Sequence, residues 1–153
     1  MNAVDALTTQ RIGVGVGATS KKRALELCSG LLAGEDEELS SKAVFEALWE
    51  RERLAGTAIG HGVALPHARM PGLRQVQGAF LATSEPVHYD ASDGQAVDLF
   101  FAMLVPEEAS DEHLKLLASL ARMFSVASFR NALRKQAEPG AILELFVEEA
   151  SGS

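Results

Sequence analysis

The feature that most constrains the fold is an apolar run at residues 97–105, which reads VDLFFAMLV and contains one charged residue, Asp98. A run this short, rich in β-branched and aromatic side chains, is typical of a strand that is covered on both faces. The dipeptide Asp93-Gly94 just before it is a turn signal. The run therefore predicts the central strand of a sheet that has helices on both sides.

Other segments supply the remaining elements of such a sandwich. Further strands are predicted at residues 11–16, 63–65 and 76–83, and the first of these is expected at a sheet edge. Helices are predicted at residues 20–34, 40–56, 110–124, 129–136 and 140–149. The first three have hydroxyl-bearing caps, and the last follows Pro139. The element order is β-α-α-β-β-β-α-α-α, and it predicts an α/β fold, a three-layer α/β/α sandwich over a mixed sheet.

Length and charge limit the classes of function. The chain has 153 residues with 47% hydrophobic content, which suits a single domain, placed at residues 5–148 and followed by a disordered tail at 149–153. With 14 Lys and Arg against 21 Asp and Glu the formal net charge is −7, so nucleic acid is an unfavourable partner. No run reaches the about 18 apolar residues of a membrane span, and no basic segment leads into an apolar one at the start. A cytoplasmic protein without membrane insertion is expected.

Several motifs of other chemistries are weak in this sequence. Residues 13–17, GVGVG, have their third glycine one position too early for a dinucleotide-binding loop. Cys28 lies among leucines and is predicted to be a buried small hydrophobe, which fits a reducing compartment. His61 and His67 lack the one-turn spacing of a zinc-binding helix. His88 and Tyr89 are expected to decorate a surface loop.

His67 is the strongest candidate for a functional side chain. It follows Pro66, which fixes its own φ and provides no N–H group, so the strand at residues 63–65 is expected to end there and to project His67 from its end. A neutral imidazole has a lone pair at physiological pH and can act as a covalent nucleophile. On position alone, a histidine that only caps the strand by hydrogen bonding explains the residue equally well.

His113 is a second candidate. If Ser110 caps the helix that follows it, His113 lies in the first turn and faces inward, where a satisfied core histidine is the simpler explanation. A helix N-terminus also suits a phosphoryl oxygen, since its N–H groups are unpaired and it has partial positive charge. Four arginines near the His67 segment would add a basic rim that suits an anion: Arg51, Arg53, Arg69 and Arg74.

At these residues the sequence resembles a known family. Residues 51–67, RERLAGTAIGHGVALPH, resemble the phosphorylation-site signature of the enzyme IIA components of the fructose, mannitol and nitrogen-regulatory phosphotransferase system. Further similar segments follow in the family's order: SKKRALE at 20–26, VFEA at 44–47, QAVDLFFAMLVP at 95–106 and HL at 113–114. The resemblance covers nearly the whole chain, from about residue 5 to residue 148.

The resemblance implies a mixed-sheet α/β sandwich and a set of catalytic residues. His67 would accept a phosphoryl group from an HPr-like histidine phosphocarrier protein, with His113 and Arg51 beside it, and neither a cofactor nor a metal ion would be needed. Two differences from the family pattern are visible: His61 replaces an asparagine common in nitrogen-type members, and Ala68-Arg69 replaces a common Gly-Lys. They leave open which partner is recognised, and His61 is either an additional ligand or a loop residue.

The segments at 20–26 and 95–99 resemble the nitrogen-regulatory members more than the sugar-specific ones. The expected function is therefore a regulatory switch that acts through contacts with target proteins such as a kinase or a transporter. A sugar-specific enzyme IIA that passes the phosphoryl group to a IIB domain is the alternative within the family. A binding module without phosphotransfer and a zinc-dependent hydrolase are alternatives of other classes.

Overall fold

The structure is a computed structural model that describes residues 3–34, 39–108 and 111–152. Two short 3₁₀ turns, Ala3–Ala6 and Thr9–Arg11, precede the first strand. The strands are β1 Ile12–Val16, β2 Ala58–Gly60, β3 Val63–Ala64, β4 His67–Met70, β5 Gln77–Val87 and β6 Val97–Pro106. The helices are α1 Lys21–Ala33, α2 Ser41–Leu54, α3 Asp111–Phe124, α4 Ala127–Lys135 and α5 Pro139–Gly152.

The strands form one mixed sheet in the order β1-β5-β6-β3-β2, and β4 also pairs with β6. β6 is antiparallel to β5 and parallel to both β3 and β4, while β1 is parallel to β5. The predicted places of two strands are confirmed, since β6 lies in the middle of the sheet and β1 at its edge.

Alternate side chains of β6 enter two separate cores. Leu99, Phe101 and Met103 belong to the core under α3, α4 and α5, whereas Phe100 and Ala102 belong to the core under α1 and α2. All five are 0% exposed. This period of two on a strand buried on both faces explains why the run is continuously apolar, and the predicted three-layer sandwich is confirmed.

Local sequence signals explain several helix ends. Ser20 caps α1 and accepts a hydrogen bond from the Arg23 backbone N–H at 3.1 Å, and Ser40 caps α2 through the Ala43 N–H at 3.3 Å. Each serine oxygen replaces an intrahelical partner that the first turn cannot supply. Pro139 begins α5, at the helix position that needs no N–H donor. The predicted cap at Ser110 lies outside the described residues.

The sheet has two short strands that the sequence did not suggest. β2 and β3 form a hairpin whose turn has positive φ at Gly60, His61 and Gly62. The expected end of the strand before His67 is confirmed, since β3 ends at Ala64, but pairing with β6 resumes at once in β4, so His67 begins a strand instead of projecting from the end of one. Pro66 has no N–H to donate, but its carbonyl oxygen still accepts from the Met103 N–H at 2.9 Å.

The expected disordered tail is wrong for most of its length, because α5 continues to Gly152. Ala150 lies one turn after the buried Phe146 and packs against the same core. The apolar spacing of the helix therefore extends beyond residue 149, and the helix continues with it. Ser153 lies outside the described residues.

Candidate functional site

His67 is the first residue of β4, and its imidazole ring is tied to the backbone beside it. Nδ1 lies 2.8 Å from the carbonyl oxygen of Leu65. A carbonyl oxygen only accepts, so the neutral ring has its proton on Nδ1 and its lone pair on Nε2. The side chain is half-buried. In this tautomer Nε2 is the ring nitrogen whose lone pair is available to another group.

A cavity of about 620 Å³ lies beside His67, between α2, β4 and the first turn of α3. His67, Arg51 and His113 all line it. The structure thus brings together three side chains that are far apart in the sequence. His113 lies in the first turn of α3, is half-buried and faces this cavity. It points inward as expected, but towards a cleft and not into the closed core.

Arg51 lies in the last turn of α2, and its guanidinium group is held in place. Nη1 donates a hydrogen bond to the Ala55 carbonyl oxygen at 2.8 Å, just beyond the helix end. The side chain is half-buried, and it lines a second cavity of about 310 Å³ that His67 also lines. His67 and Arg51 therefore lie together between two clefts. A fixed guanidinium group there can bind phosphoryl oxygens through several N–H groups at once.

Only half of the predicted basic rim lies at the larger cavity. Two of its four arginines line the larger cavity: Arg51 and Arg69. Arg53 pairs with Glu50 at 3.1 Å on the exposed surface, and Arg74 lines a separate cavity. Glu50 and Asp111 also line the larger cavity. Two arginines therefore face two carboxylates around His67, and the cavity is close to charge balance.

We expect the His67 ring to titrate below its ordinary pKa of 6.5. Burial is the largest influence and lowers the pKa, the hydrogen bond with Leu65 raises it, the charge of Arg51 lowers it and that of Glu52 raises it. The ring is thus neutral and nucleophilic at pH 7. Because the folded-state pKa lies below the unfolded one, its contribution to stability is complete above pH 6.5 and is lost as the pH falls through the lowered pKa.

An NMR titration of the ring carbon protons, assigned with a His67→Gln variant, measures this pKa directly. A midpoint at or above 6.5 would contradict the balance of burial and charge described here.

His61 lies outside the cavity. It is exposed at the turn between β2 and β3, with φ of 56°. Its N–H donates to Asp93 at 3.1 Å, and its carbonyl oxygen accepts from Arg134 at 2.7 Å. Arg134 also pairs with Asp98, the charged residue of β6, at 3.0 Å. Of the two roles considered for His61, the structure favours the loop residue.

The prediction for Tyr89 is wrong, although its neighbour His88 is exposed as expected. Tyr89 is 1% exposed, its ring packs edge-to-face on Phe100 at 5.6 Å, and its hydroxyl donates to Glu52 at 2.7 Å. Burial and the Glu52 charge raise the pKa of the Tyr89 hydroxyl well above its ordinary range, so it stays protonated. The ring is part of the core, and the hydroxyl group is hydrogen-bonded to a buried carboxylate. The turn residues around Tyr89 in the sequence give no sign of either contact.

Glu52 is the functional candidate that the sequence analysis missed. It is 5% exposed, next to Arg51 in α2. A signal was present, because Val44, Leu48 and Glu52 follow one another at intervals of four on the buried face of the helix. A carboxylate at such a position requires hydrogen-bonding partners in the core.

The described part of the chain has no helix with the length and apolar character needed to cross a membrane. No group of three or more His, Cys, Asp or Glu side chains in the same residues is arranged to hold a metal ion.

Comparisons with known proteins agree with this fold. Residues 5–149 match the family model described as "Phosphoenolpyruvate-dependent sugar phosphotransferase system, EIIA 2". A nitrogen regulatory protein of Pseudomonas aeruginosa is 41% identical over 95% of each chain. The crystal structure of nitrogen regulatory protein IIA-Ntr from Neisseria meningitidis has a TM-score of 0.87 and 41% identity, covering 94% of this chain and 97% of that one.

A more distant structure shares the fold. It is the complex of the mannitol enzyme IIA with phosphorylated enzyme IIB from Escherichia coli, with a TM-score of 0.75 and 19% identity over 93% of this chain and 97% of that one. This chain therefore has the enzyme IIA fold, and two of its histidines and one arginine line the same cleft. The chain belongs to the phosphoenolpyruvate-dependent sugar phosphotransferase system EIIA 2 family.

Proposed function

We propose that this protein is a phosphohistidine carrier that accepts a phosphoryl group on His67 from an HPr-like carrier protein. The observation that carries the proposal is the His67 ring itself, with Nδ1 donating to Leu65 at 2.8 Å and the ring lining one cavity with Arg51 and His113. A nucleophile in a cleft with fixed hydrogen-bond donors is the arrangement that phosphoryl transfer requires. The proposal includes the cytoplasm as location, where phosphoenolpyruvate is made.

In the proposed transfer, the Nε2 lone pair of His67 forms the new P–N bond while the P–N bond of the donor phosphohistidine breaks. The electron pair of the broken bond stays on the donor imidazole. No proton has to leave His67, because its Nδ1–H is already donated to Leu65. Arg51 and His113 act on the phosphoryl oxygens, whose negative charge they partly neutralise as the group moves.

The second part of the proposal is that the phosphorylated protein is a nitrogen-regulatory switch. A phosphoryl group adds about −1.5 to −2 charges to a cavity that Arg51, Arg69, Glu50 and Asp111 leave nearly balanced. Modification would therefore make this surface strongly negative and change its affinity for target proteins, such as a kinase or a transporter. Identity of 41% with a nitrogen regulatory protein supports this choice over a sugar-specific enzyme IIA.

The test is incubation with phosphoenolpyruvate, the first enzyme of the relay and its histidine carrier, followed by intact mass measurement. We expect a gain of one phosphoryl group, which is lost in acid and maps to the peptide that contains His67. Omission of the carrier protein is the control. An unmodified protein, or a stable adduct on a serine, would exclude the proposal. Efficient onward transfer from the purified phosphoprotein to a IIB domain would instead favour the sugar-specific alternative.

A further inference from the structure

We propose that Glu52 is a positioning residue for His67, which it orients through the backbone of Thr57 and Leu65. Its importance for transfer rests on the proposed function of His67. Its effect on the ring is a matter of geometry alone and can be measured separately.

The Glu52 carboxylate is buried and fully surrounded by hydrogen-bond donors. Oε1 accepts from the hydroxyl groups of Thr57 and Tyr89, the latter at 2.7 Å. Oε2 accepts from the Thr57 backbone N–H at 2.8 Å and pairs with the Lys21 ammonium group at 3.3 Å. Lys21 also lies over the Tyr89 ring, 4.5 Å from its centroid. Four donors converging on one carboxylate hold its position and that of Thr57.

Thr57 passes this restraint to the site through two successive hydrogen bonds. Its carbonyl oxygen accepts from the Leu65 N–H at 3.0 Å. The carbonyl oxygen of the same leucine accepts from Nδ1 of His67 at 2.8 Å. Leu65 lies in the interruption between β3 and β4, so Thr57 supplies a restraint there that the strands themselves do not. The path from the buried carboxylate to the His67 ring is therefore continuous.

The consequence concerns which ring nitrogen has the proton. If the Leu65 carbonyl shifts, the hydrogen bond that retains the proton on Nδ1 weakens, and the Nε2-protonated tautomer gains population. That tautomer has no lone pair at Nε2. A network that holds the Leu65 carbonyl in place therefore keeps the proton on Nδ1 and the lone pair on Nε2. Hydrogen-bond partners fix the tautomer of metal-binding histidines in the same way.

The test combines two variants of the network with a matched control. The double variant Glu52→Leu/Tyr89→Phe removes the carboxylate together with the Tyr89 hydroxyl, so fewer buried donors are left without an acceptor than in Glu52→Leu alone. Glu52→Gln is the conservative variant, because its amide oxygen can still accept from Thr57. Glu46→Leu removes an exposed carboxylate from the same helix and serves as the control.

The first readout is the ¹⁵N NMR spectrum of the His67 ring, recorded above its pKa. We expect the Nδ1-protonated tautomer in the wild type, in Glu52→Gln and in Glu46→Leu, and a mixture of the two tautomers in the double variant. The second readout is phosphoryl acceptance, expected to be slowed by about 10-fold to 100-fold in the double variant, with the carrier concentration at half-maximal rate unchanged. Tyr89→Phe alone removes one donor of the four, and we expect a smaller shift of the same sign.

A double variant that is folded and keeps the wild-type tautomer overturns the inference. If the double variant does not fold, the same spectrum of Tyr89→Phe decides, and an unchanged tautomer there overturns it as well. A wild type that accepts no phosphoryl group, while the variants still change the tautomer, would exclude the proposed function and leave the positioning role of Glu52 standing.

Discussion

His67→Ala protein is expected to accept no phosphoryl group from the phosphorylated carrier. The substitution removes the only atom that the proposed transfer uses as nucleophile, and no charge stabilisation can replace it. His113→Ala and Arg51→Ala should still be modified, but with rates lower by about 10²-fold each, because each removes one donor to the phosphoryl oxygens. Rapid-quench kinetics with intact mass detection separates a complete loss from a slow reaction.

His88→Ala is the control for these variants, because this histidine has 88% of its side chain exposed and lies outside the cavity. It should react as the wild type does. Arg51→Lys keeps the charge and loses the planar, multidentate geometry, so its rate should fall between those of Arg51→Ala and the wild type. Full modification of His67→Ala would contradict the assignment of the acceptor, and an unaffected rate in Arg51→Ala would contradict the role of the guanidinium group.

Much of the fold is predictable from local signals. The apolar run at β6 and Pro139 at the start of α5 are encoded by short patterns and are confirmed, and of the cap pairs Thr19 or Ser20 and Ser40 or Ser41 the structure uses Ser20 and Ser40. β2 and β4 were not predicted, because neither has the uninterrupted apolar run that marked residues 63–65 and each contains or adjoins a turn residue, Gly60 or Pro66. Their pairing is decided by tertiary contacts with β3 and β6.

The site divides in the same way. The position after Pro66 indicates His67, and the first turn of the predicted helix at 110–124 indicates His113. The resemblance then selects Arg51 from the four arginines near the His67 segment. Tyr89 and the network around Glu52 could not be predicted as a unit, because its members come from α1, α2, the segment before β2 and the segment after β5, and they meet only in the folded chain. The spacing of Glu52 with Val44 and Leu48 was the one local sign of a buried carboxylate.

Phe146→Ala is expected to lower the free energy of unfolding by about 3–5 kcal/mol. The ring is 0% exposed and contacts four other aromatic rings, with centroid distances of 5.2–5.9 Å. These rings come from β5, β6, α3 and α4, so Phe146 joins α5 to most of one face of the sandwich. Its removal leaves a large cavity at a junction that several elements share, and these elements cannot all close on it. Urea unfolding monitored by circular dichroism measures the change.

Phe45→Ala makes the same chemical change at a less buried site with fewer aromatic contacts. Phe45 is half-buried on α2 and stacks on Trp49 at 5.7 Å, so it leaves no closed cavity, and we expect less than half the effect of Phe146→Ala. Equal losses for the two variants would mean that ring removal alone sets the cost, and that the aromatic cluster adds nothing through its packing. A larger loss for Phe146→Ala, with an unchanged dependence of the unfolding free energy on urea concentration, would show that the packing of α5 on the sheet stabilises the layer of α3, α4 and α5.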